Sequence, residues 1–293
     1  MTRILVTGAS GQLGRGVLAH LLAEAKIPAD QIVAASRDPA KLGEWAAKGI
    51  ETRAADFNDP AGLEAAFAGI DRLLLISTDE LAVPGKRLEQ HKAAAAAAAK
   101  AGVKHILYTS MPNPDKSLVS FAPDHLGTEE AIKASGLSYT ILRNSWYLDN
   151  YVGSMARNLA SGQWFTAIGA GRQPNISRDD CAAAAAAALA NPPAGNVILT
   201  LTGSELLGAD DVAAIVSKAA GKPLAVVPVN DEQLAAGAAS AGLPPFVVDL
   251  IVSADANTRA GNFEILTDAF ERLTGRKPQS AAAFFEAHKA ALG

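Results

Sequence analysis

Ile4-Leu5-Val6-Thr7-Gly8-Ala9-Ser10-Gly11-Gln12-Leu13-Gly14 is an apolar run that breaks into Gly-x-x-Gly-x-x-Gly and then into a helical pattern. Each glycine has its own physical task. Gly8 allows a tight strand-to-helix turn, Gly11 removes a Cβ that would hold the backbone away from a pyrophosphate, and Gly14 lets the helix lie close on its strand. An anion held there rests on free N–H groups at the positive end of the helix. Three spaced glycines also occur in turns that bind nothing. The strand before them and the helix after them point to a dinucleotide-binding turn.

Outward from this turn, apolar strands are predicted at 31–36, 51–55, 72–77, 104–109 and 138–143. Helical patterns fall at 14–25, 39–48, 60–68, 85–101 and 123–135. Such alternation implies a parallel sheet covered by helices on both faces. Beyond Asn144 the rhythm loosens into a helix at 147–161, a strand at 164–168, an alanine-rich helix from Arg178 and a strand at 196–202, then a helix at 209–220 and a strand at 224–229. The expected fold is α/β, a Rossmann-type doubly wound parallel sheet with a smaller C-terminal α/β lobe. Residues 1–150 form the nucleotide-binding domain, with segments of 164–203 returning to it, and 204–293 form the substrate-side lobe. Pro244 and Pro245 are expected to interrupt two helices of that lobe. A ligand at the carboxyl ends of the strands is expected between lobe and domain.

Composition narrows the function classes. The 293 residues carry a net charge of −4 with lysine and arginine dispersed, which disfavours nucleic acid as a partner. Cys181 is the only cysteine, so an intrachain disulfide and a cysteine metal cluster are excluded, and a small buried apolar role is expected. No metal is expected. The first apolar run lacks a basic leader and ends at the glycine turn, so a cytoplasmic protein with no membrane partner is expected. The alanine tracts 93–99 and 182–188 read as helices packed closely on a sheet.

The second strand ends in Ala34-Ala35-Ser36-Arg37-Asp38, where the side chain at the tip faces the adenosine ribose. An acid there would serve the ribose hydroxyls of NAD, whereas Arg37 would pair with the 2′-phosphate of NADP, helped by Ser36 and Lys41. Asp38 either serves the ribose or caps the helix starting at Pro39, and the cap is favoured. NADP(H) is therefore expected over NAD(H). Asp56 and Phe57 follow the third strand, where they either bracket an adenine or serve as a loop acid and a core ring.

The glycine turn, Ala68-Gly69-Ile70-Asp71, Ala101-Gly102-Val103-Lys104-His105-Ile106, His125-Leu126-Gly127-Thr128-Glu129 and Tyr139-Thr140-Ile141-Leu142-Arg143-Asn144 resemble, in order, the NmrA-like atypical short-chain dehydrogenases. Asn144-Ser145-Trp146-Tyr147-Leu148-Asp149-Asn150-Tyr151 and Ser177-Arg178-Asp179-Asp180 resemble their bacterial quinone oxidoreductase and triphenylmethane reductase branch. The resemblance covers nearly the whole chain. It implies a flavin-free NADPH site with direct hydride transfer to a small aromatic or quinone-like, electron-poor acceptor. It also implies that Thr7, Gly8, Ser10, Gly11, Gln12 and Leu13 cradle the phosphates and Arg37 takes the 2′-phosphate. On the same basis Ile76, Ser77 and Thr78 run beside the nicotinamide ribose, Tyr108 borders the reaction chamber, and Asn144 with Trp146 to Tyr151 lines the substrate side.

The ordinary Tyr-x-x-x-Lys pair of short-chain dehydrogenases is missing, since the corresponding helix reads Asp124-His125-Leu126-Gly127-Thr128-Glu129-Glu130. A quinone or cationic dye accepts hydride without strong acid catalysis, so positioning would carry the rate. His125 is the candidate to supply a proton or orient the cofactor, with Glu129 one turn on to tune it; the alternative is that the two form an N-terminal helix contact or a solvated pair. Asn144 either hydrogen-bonds a substrate oxygen or caps the next helix. Trp146, Tyr147 and Tyr151 offer aromatic area for a flat acceptor or pack between lobes, and Phe246 closes the cleft or joins the core. Arg143 reads as a structural ion-pair partner. Two further readings stay open: an NADP(H)-binding redox sensor without turnover, and, ranked last, an isomerase or epimerase acting on a nucleotide sugar. A homodimer is also left open.

Overall fold

The structure is a computed structural model that describes residues 2–293. Six strands, β1 (Ile4–Val6), β2 (Ile32–Ser36), β3 (Glu51–Ala54), β4 (Arg72–Leu75), β5 (His105–Ser110) and β6 (Ser138–Asn144), pair in the order β3-β2-β1-β4-β5-β6. All of these pairings are parallel. β1, β2 and β5 are buried along their whole length, as continuous apolar runs between helical layers require. The doubly wound α/β fold expected from the alternation is present. The direction of winding reverses between β1 and β4: the chain adds strands outward from β1 to β3, then returns to lay β4 on the other side of β1.

The helices of this part are α1 (Gln12–Ala23), α2 (Gly43–Ala46), α3 (Pro60–Phe67), α4 (Lys86–Lys100) and α5 (Ala122–Ala134). α1 starts two residues before the predicted Gly14, because Gly11 takes the extended conformation of an N-cap. The stretch predicted as one helix at 39–48 is a 3₁₀ turn, Pro39–Leu42, followed by the single turn of α2. Asp59 caps α3, its carboxylate accepting from the Gly62 N–H at 3.1 Å.

Beyond β6 come α6 (Asp149–Ser161), β7 (Gln163–Thr166), α7 (Arg178–Ala190) and β8 (Val197–Leu201), then α8 (Ala209–Ala220), β9 (Ala225–Pro228), α9 (Asp231–Ser240), α10 (Pro245–Arg259), α11 (Ala269–Thr274) and α12 (Ala281–Ala287). β8 returns to the main sheet beside β6 to make it seven-stranded, whereas β7 pairs in parallel with β9. Pro244 and Pro245 do not interrupt helices. Pro245 occupies the first position of α10, where its missing N–H leaves no bond unmade.

The chain divides into two compact units. The first comprises the chain to Ser110, Asp124–Arg143 and Arg178–Leu199; the second comprises Met111–Pro123, Asn144–Ser177 and Thr200–Gly293. Residues 144–150, grouped with the nucleotide domain in the sequence reading, fall in the second unit. The core of the first unit gathers around Leu5, Leu73, Leu75, Ile106 and Tyr108, with the alanines of α4 packed on it. One core of the second joins Leu148, Met155 and Leu159 to Val212, Val216, Phe284 and Phe285. Cys181 lies buried in α7. Among the described residues no helix is long and apolar enough to cross a membrane.

Candidate functional site

At the carboxyl end of β1 the ladder stops at Val6, and the chain turns over Gly8, whose φ of +59° needs a glycine. A Cβ on Gly14 would lie 2.8 Å from the Ala9 Cα, so no larger residue lets α1 leave the turn at this angle. Gly8, Ser10, Gly11, Gln12, Leu13 and Gly14 form the floor of a cavity of about 530 Å³ at the reversal point of the sheet. The dimensions suit a cofactor. The glycine turn at the start of α1 provides the unobstructed backbone that a pyrophosphate needs, so these residues fit a dinucleotide.

Arg37 and Lys41 stand on the rim of the same cavity with Ser36, beyond the end of β2. Ser36 and Ser10 share a hydrogen bond of 2.9 Å that ties the strand tip to the glycine turn. Asp38 is a cap, its carboxylate accepting from the Ala40 N–H at 3.1 Å. Asp56 and Phe57 both line the cavity, and Phe57 also belongs to the core. Ile76, Ser77 and Thr78 form the facing wall. The successive N–H groups of these three residues donate to side chains rather than to a strand: Ile76 to Thr7 Oγ1, Ser77 to Thr109 Oγ1 and Thr78 to His91 Nε2, each at 2.9 Å.

Tyr108 and His125 are not on the cavity wall. Tyr108 is wholly buried in the core, and its Oη lies 2.8 Å from His125 Nδ1. His125 Nε2 faces Arg87 Nη2 at 3.0 Å, and since guanidinium only donates, Nε2 accepts and the proton resides on Nδ1. Burial first, and the Arg87 charge next, hold the His125 pKa well below its usual range. Burial likewise raises the Tyr108 phenol. A neutral, enclosed imidazole with both nitrogens engaged does not deliver a proton to an acceptor, which corrects the proton-donor expectation for His125. The expected partner is corrected too. Glu129 accepts from Arg143 at 2.9 and 2.7 Å and from Ser110 Oγ at 2.7 Å, making Arg143 a structural ion-pair partner.

The substrate-side candidates lie in the second unit. Asn144 Nδ2 donates to Tyr147 Oη at 2.9 Å, and its buried Oδ1 has no hydrogen-bond partner among the described residues. It does not cap α6, whose N-cap is Leu148. Trp146 packs on Phe263, Tyr151 meets the edge of Trp164 while accepting from Gln173 at 2.6 Å, and Phe246 stands exposed on α10.

Five cavity residues are not among the site residues expected from sequence: Ala55, Asp79, Glu80, Gln90 and Arg178. Asp79 and Glu80 directly follow Thr78 and are reached by extending that strand exit. Arg178 starts α7 and donates to Gln12, a contact across 166 residues that only folding reveals. Among the described residues no group of three or more histidine, cysteine or acidic side chains could hold a metal ion.

The model of a family described as NAD(P)H-binding matches residues 8–192. An NADPH-dependent quinone oxidoreductase from Escherichia coli, solved with NADPH, superposes with a TM-score of 0.92 at 36% identity, over 97% of this chain and 99% of that one. The triphenylmethane reductase of Citrobacter sp. complexed with NADP(H) gives 0.90 at 33% identity, over 98% and 99%. An NAD(P)H azoreductase of Xenophilus azovorans is 30% identical over 291 residues, 99% of each chain. These are the enzyme types that the ordered motifs resemble. With its glycine turn, its cavity and most of its first unit inside the matched range, the chain belongs to the NAD(P)H-binding family.

Proposed function

We propose that this protein is an NADPH-dependent, flavin-free reductase that passes hydride directly to a quinone or a similar electron-poor conjugated acceptor, triphenylmethane and azo dyes included. The observation that carries the reading is the cavity itself: a glycine turn shaped for a pyrophosphate shares one rim with Arg37 and Lys41. Likeness to NADPH-dependent quinone and dye reductases over nearly the full length supports the acceptor class. When bound, NADPH supplies the hydride from its dihydronicotinamide ring, and the acceptor gains two electrons with it. A neutral quinone becomes an oxyanion that takes one proton from solvent, whereas a cationic triphenylmethane dye becomes neutral and needs none, consistent with His125 and Tyr108 being enclosed behind the wall. The protein's part is to hold the cofactor and exclude competing reactions.

Arg37→Ala tests the assignment. Loss of a charge-assisted contact to the 2′-phosphate should weaken NADPH binding about tenfold to hundredfold. NADH, which has no such phosphate, should change by less than about threefold. Equal loss for both cofactors would reject Arg37 as the phosphate clamp. Wild-type protein that binds NADPH yet reduces no quinone would favour a redox sensor.

A further inference from the structure

The acid that a ribose hydroxyl would need is absent from the β2 tip, where Asp38 is occupied as a cap. A carboxylate nonetheless reaches that place from another strand. Asp79, just beyond the exit of β4, lines the cavity, and its Oδ1 stands 3.9 Å from Arg37 Nη2. Glu80 lines the same cavity one residue on.

Asp79 is carried on a firmly held arm. All three hydrogen-bonding groups of the preceding residue, Thr78, are taken by one face of α4. Its N–H donates to His91 Nε2 at 2.9 Å, its Oγ1 donates to Gln90 Oε1 at 2.9 Å, and its carbonyl accepts from Arg87 Nε at 2.8 Å. Gln90 and His91 follow Arg87 by one turn of α4, and all three are buried. Gln90 also donates to Asn58 Oδ1 at 3.2 Å, joining the arm to the loop after β3. At its other end the arm packs on the glycine turn, with Ile76 Cβ 3.6 Å from where a Gly8 Cβ would be. The segment thus lines the cavity from the glycine turn, at Ile76, to Arg37, at Asp79.

We propose that Asp79 is a cofactor-specificity residue working against Arg37. Facing the adenosine 2′ position, the pair presents a cation for a phosphate and a carboxylate for a hydroxyl. With NADPH, Arg37 exchanges Asp79 for the phosphate, and the nearby carboxylate repels the new charge. With NADH, the 2′-hydroxyl donates to Asp79, as ribose hydroxyls do to the acid of NAD-binding sites. The two residues should therefore have opposite effects on cofactor choice. This inference rests on the NADPH reading of the cavity.

The test is fluorescence titration of NADPH and NADH with wild type, Asp79→Asn, Asp79→Glu and Arg37→Ala. D79N should tighten NADPH about threefold to tenfold, as expected for removing one like charge near the phosphate in solvent. It should weaken NADH by about threefold or more, and salt near 0.5 M should shrink the NADPH gain. D79E keeps the carboxylate and should stay within about twofold of wild type for both. Equal shifts for both cofactors, no shift for either, or D79E behaving as D79N would overturn the inference. Asp79 is almost fully exposed, so these variants leave the core untouched. A selective R37A loss with a flat D79N response defeats the Asp79 role alone. Equal R37A losses defeat the Arg37 assignment and this role together. NADPH binding without quinone reduction defeats the reductase reading, and the binding ratios still decide the Asp79 role.

Discussion

Single side chains here are directional because donors and acceptors leave few choices. The Thr78 N–H can only donate, so His91 Nε2 accepts it and the ring proton lies on Nδ1, 3.0 Å from Thr128 Oγ1. Thr128 Oγ1 in turn donates to the Asp124 carbonyl at 2.6 Å. Burial, then the Arg87 charge, depress the His91 pKa to about 3, so the ring stays neutral in the folded state. Unfolded, it titrates near 6.5. Between those values the unfolded chain binds more protons, so the His91 contribution is full above pH 6.5 and is lost as pH falls toward 3. Each such histidine adds a slope of up to about 1.4 kcal/mol per pH unit, and His125, held neutral for the same reason, acts in the same sense. His91→Gln should flatten the fall in urea midpoint between about pH 6.5 and about pH 4.5 without abolishing it. A slope equal to wild type would show that His91 titrates normally. Of these residues, Arg37 and the glycines were legible from position relative to a strand end. The enclosure of His125 was not, because burial is a property of the neighbours that pack around a ring.

At the scale of elements, the α1–α7 seam shows how a low-complexity stretch acquires a role. The alanines of α7 carry so little bulk that a Cβ on Gly16 of α1 would meet the Ala182 Cβ at 2.9 Å. This close approach brings Arg178 to Gln12 at the cavity and His20 to Asp179, whose Oδ1 lies 2.9 Å from His20 Nε2. Glu24 engages the other ring nitrogen at 2.9 Å. The Asp179 hydrogen bond outweighs partial burial and raises the His20 pKa above 6.5. A raised histidine stabilises most below its unfolded value, and that contribution disappears as pH rises through the folded one. Because both carboxylates are largely exposed, the pair contributes about 0.2–1 kcal/mol. His20→Gln should therefore destabilise the protein at about pH 5.5 but hardly at about pH 8.5, read as melting temperatures. The same loss at both values would show that the ring acts by packing. Helix positions were legible from periodicity, and α8 begins and ends where predicted. The pairing of α1 with α7 was not, since alanine tracts show no preferred face.

For the whole molecule, the cavity draws its walls from the exits of four strands and the start of α7, all within the first unit. A ligand there links segments from Gly8 to Arg178 and stabilises the folded state by mass action. NADPH at roughly a hundred times its dissociation constant should add about 2.7 kcal/mol, seen as a rise in melting temperature. NADH at the same concentration should give a smaller rise, and equal shifts would contradict the preference for NADPH. The sequence alone determined the doubly wound sheet, the glycine turn and the arginine at the second strand tip, because strand and helix periodicity and glycine's backbone freedom are local properties of the chain. Only the tertiary structure decided that β7 leaves the main sheet for β9 and that His125 and Tyr108 sit behind the wall. It also decided that Asp79 faces Arg37 from another strand. Those outcomes depend on which distant segments pack together, and side-chain environment is set there by contact and exclusion of water.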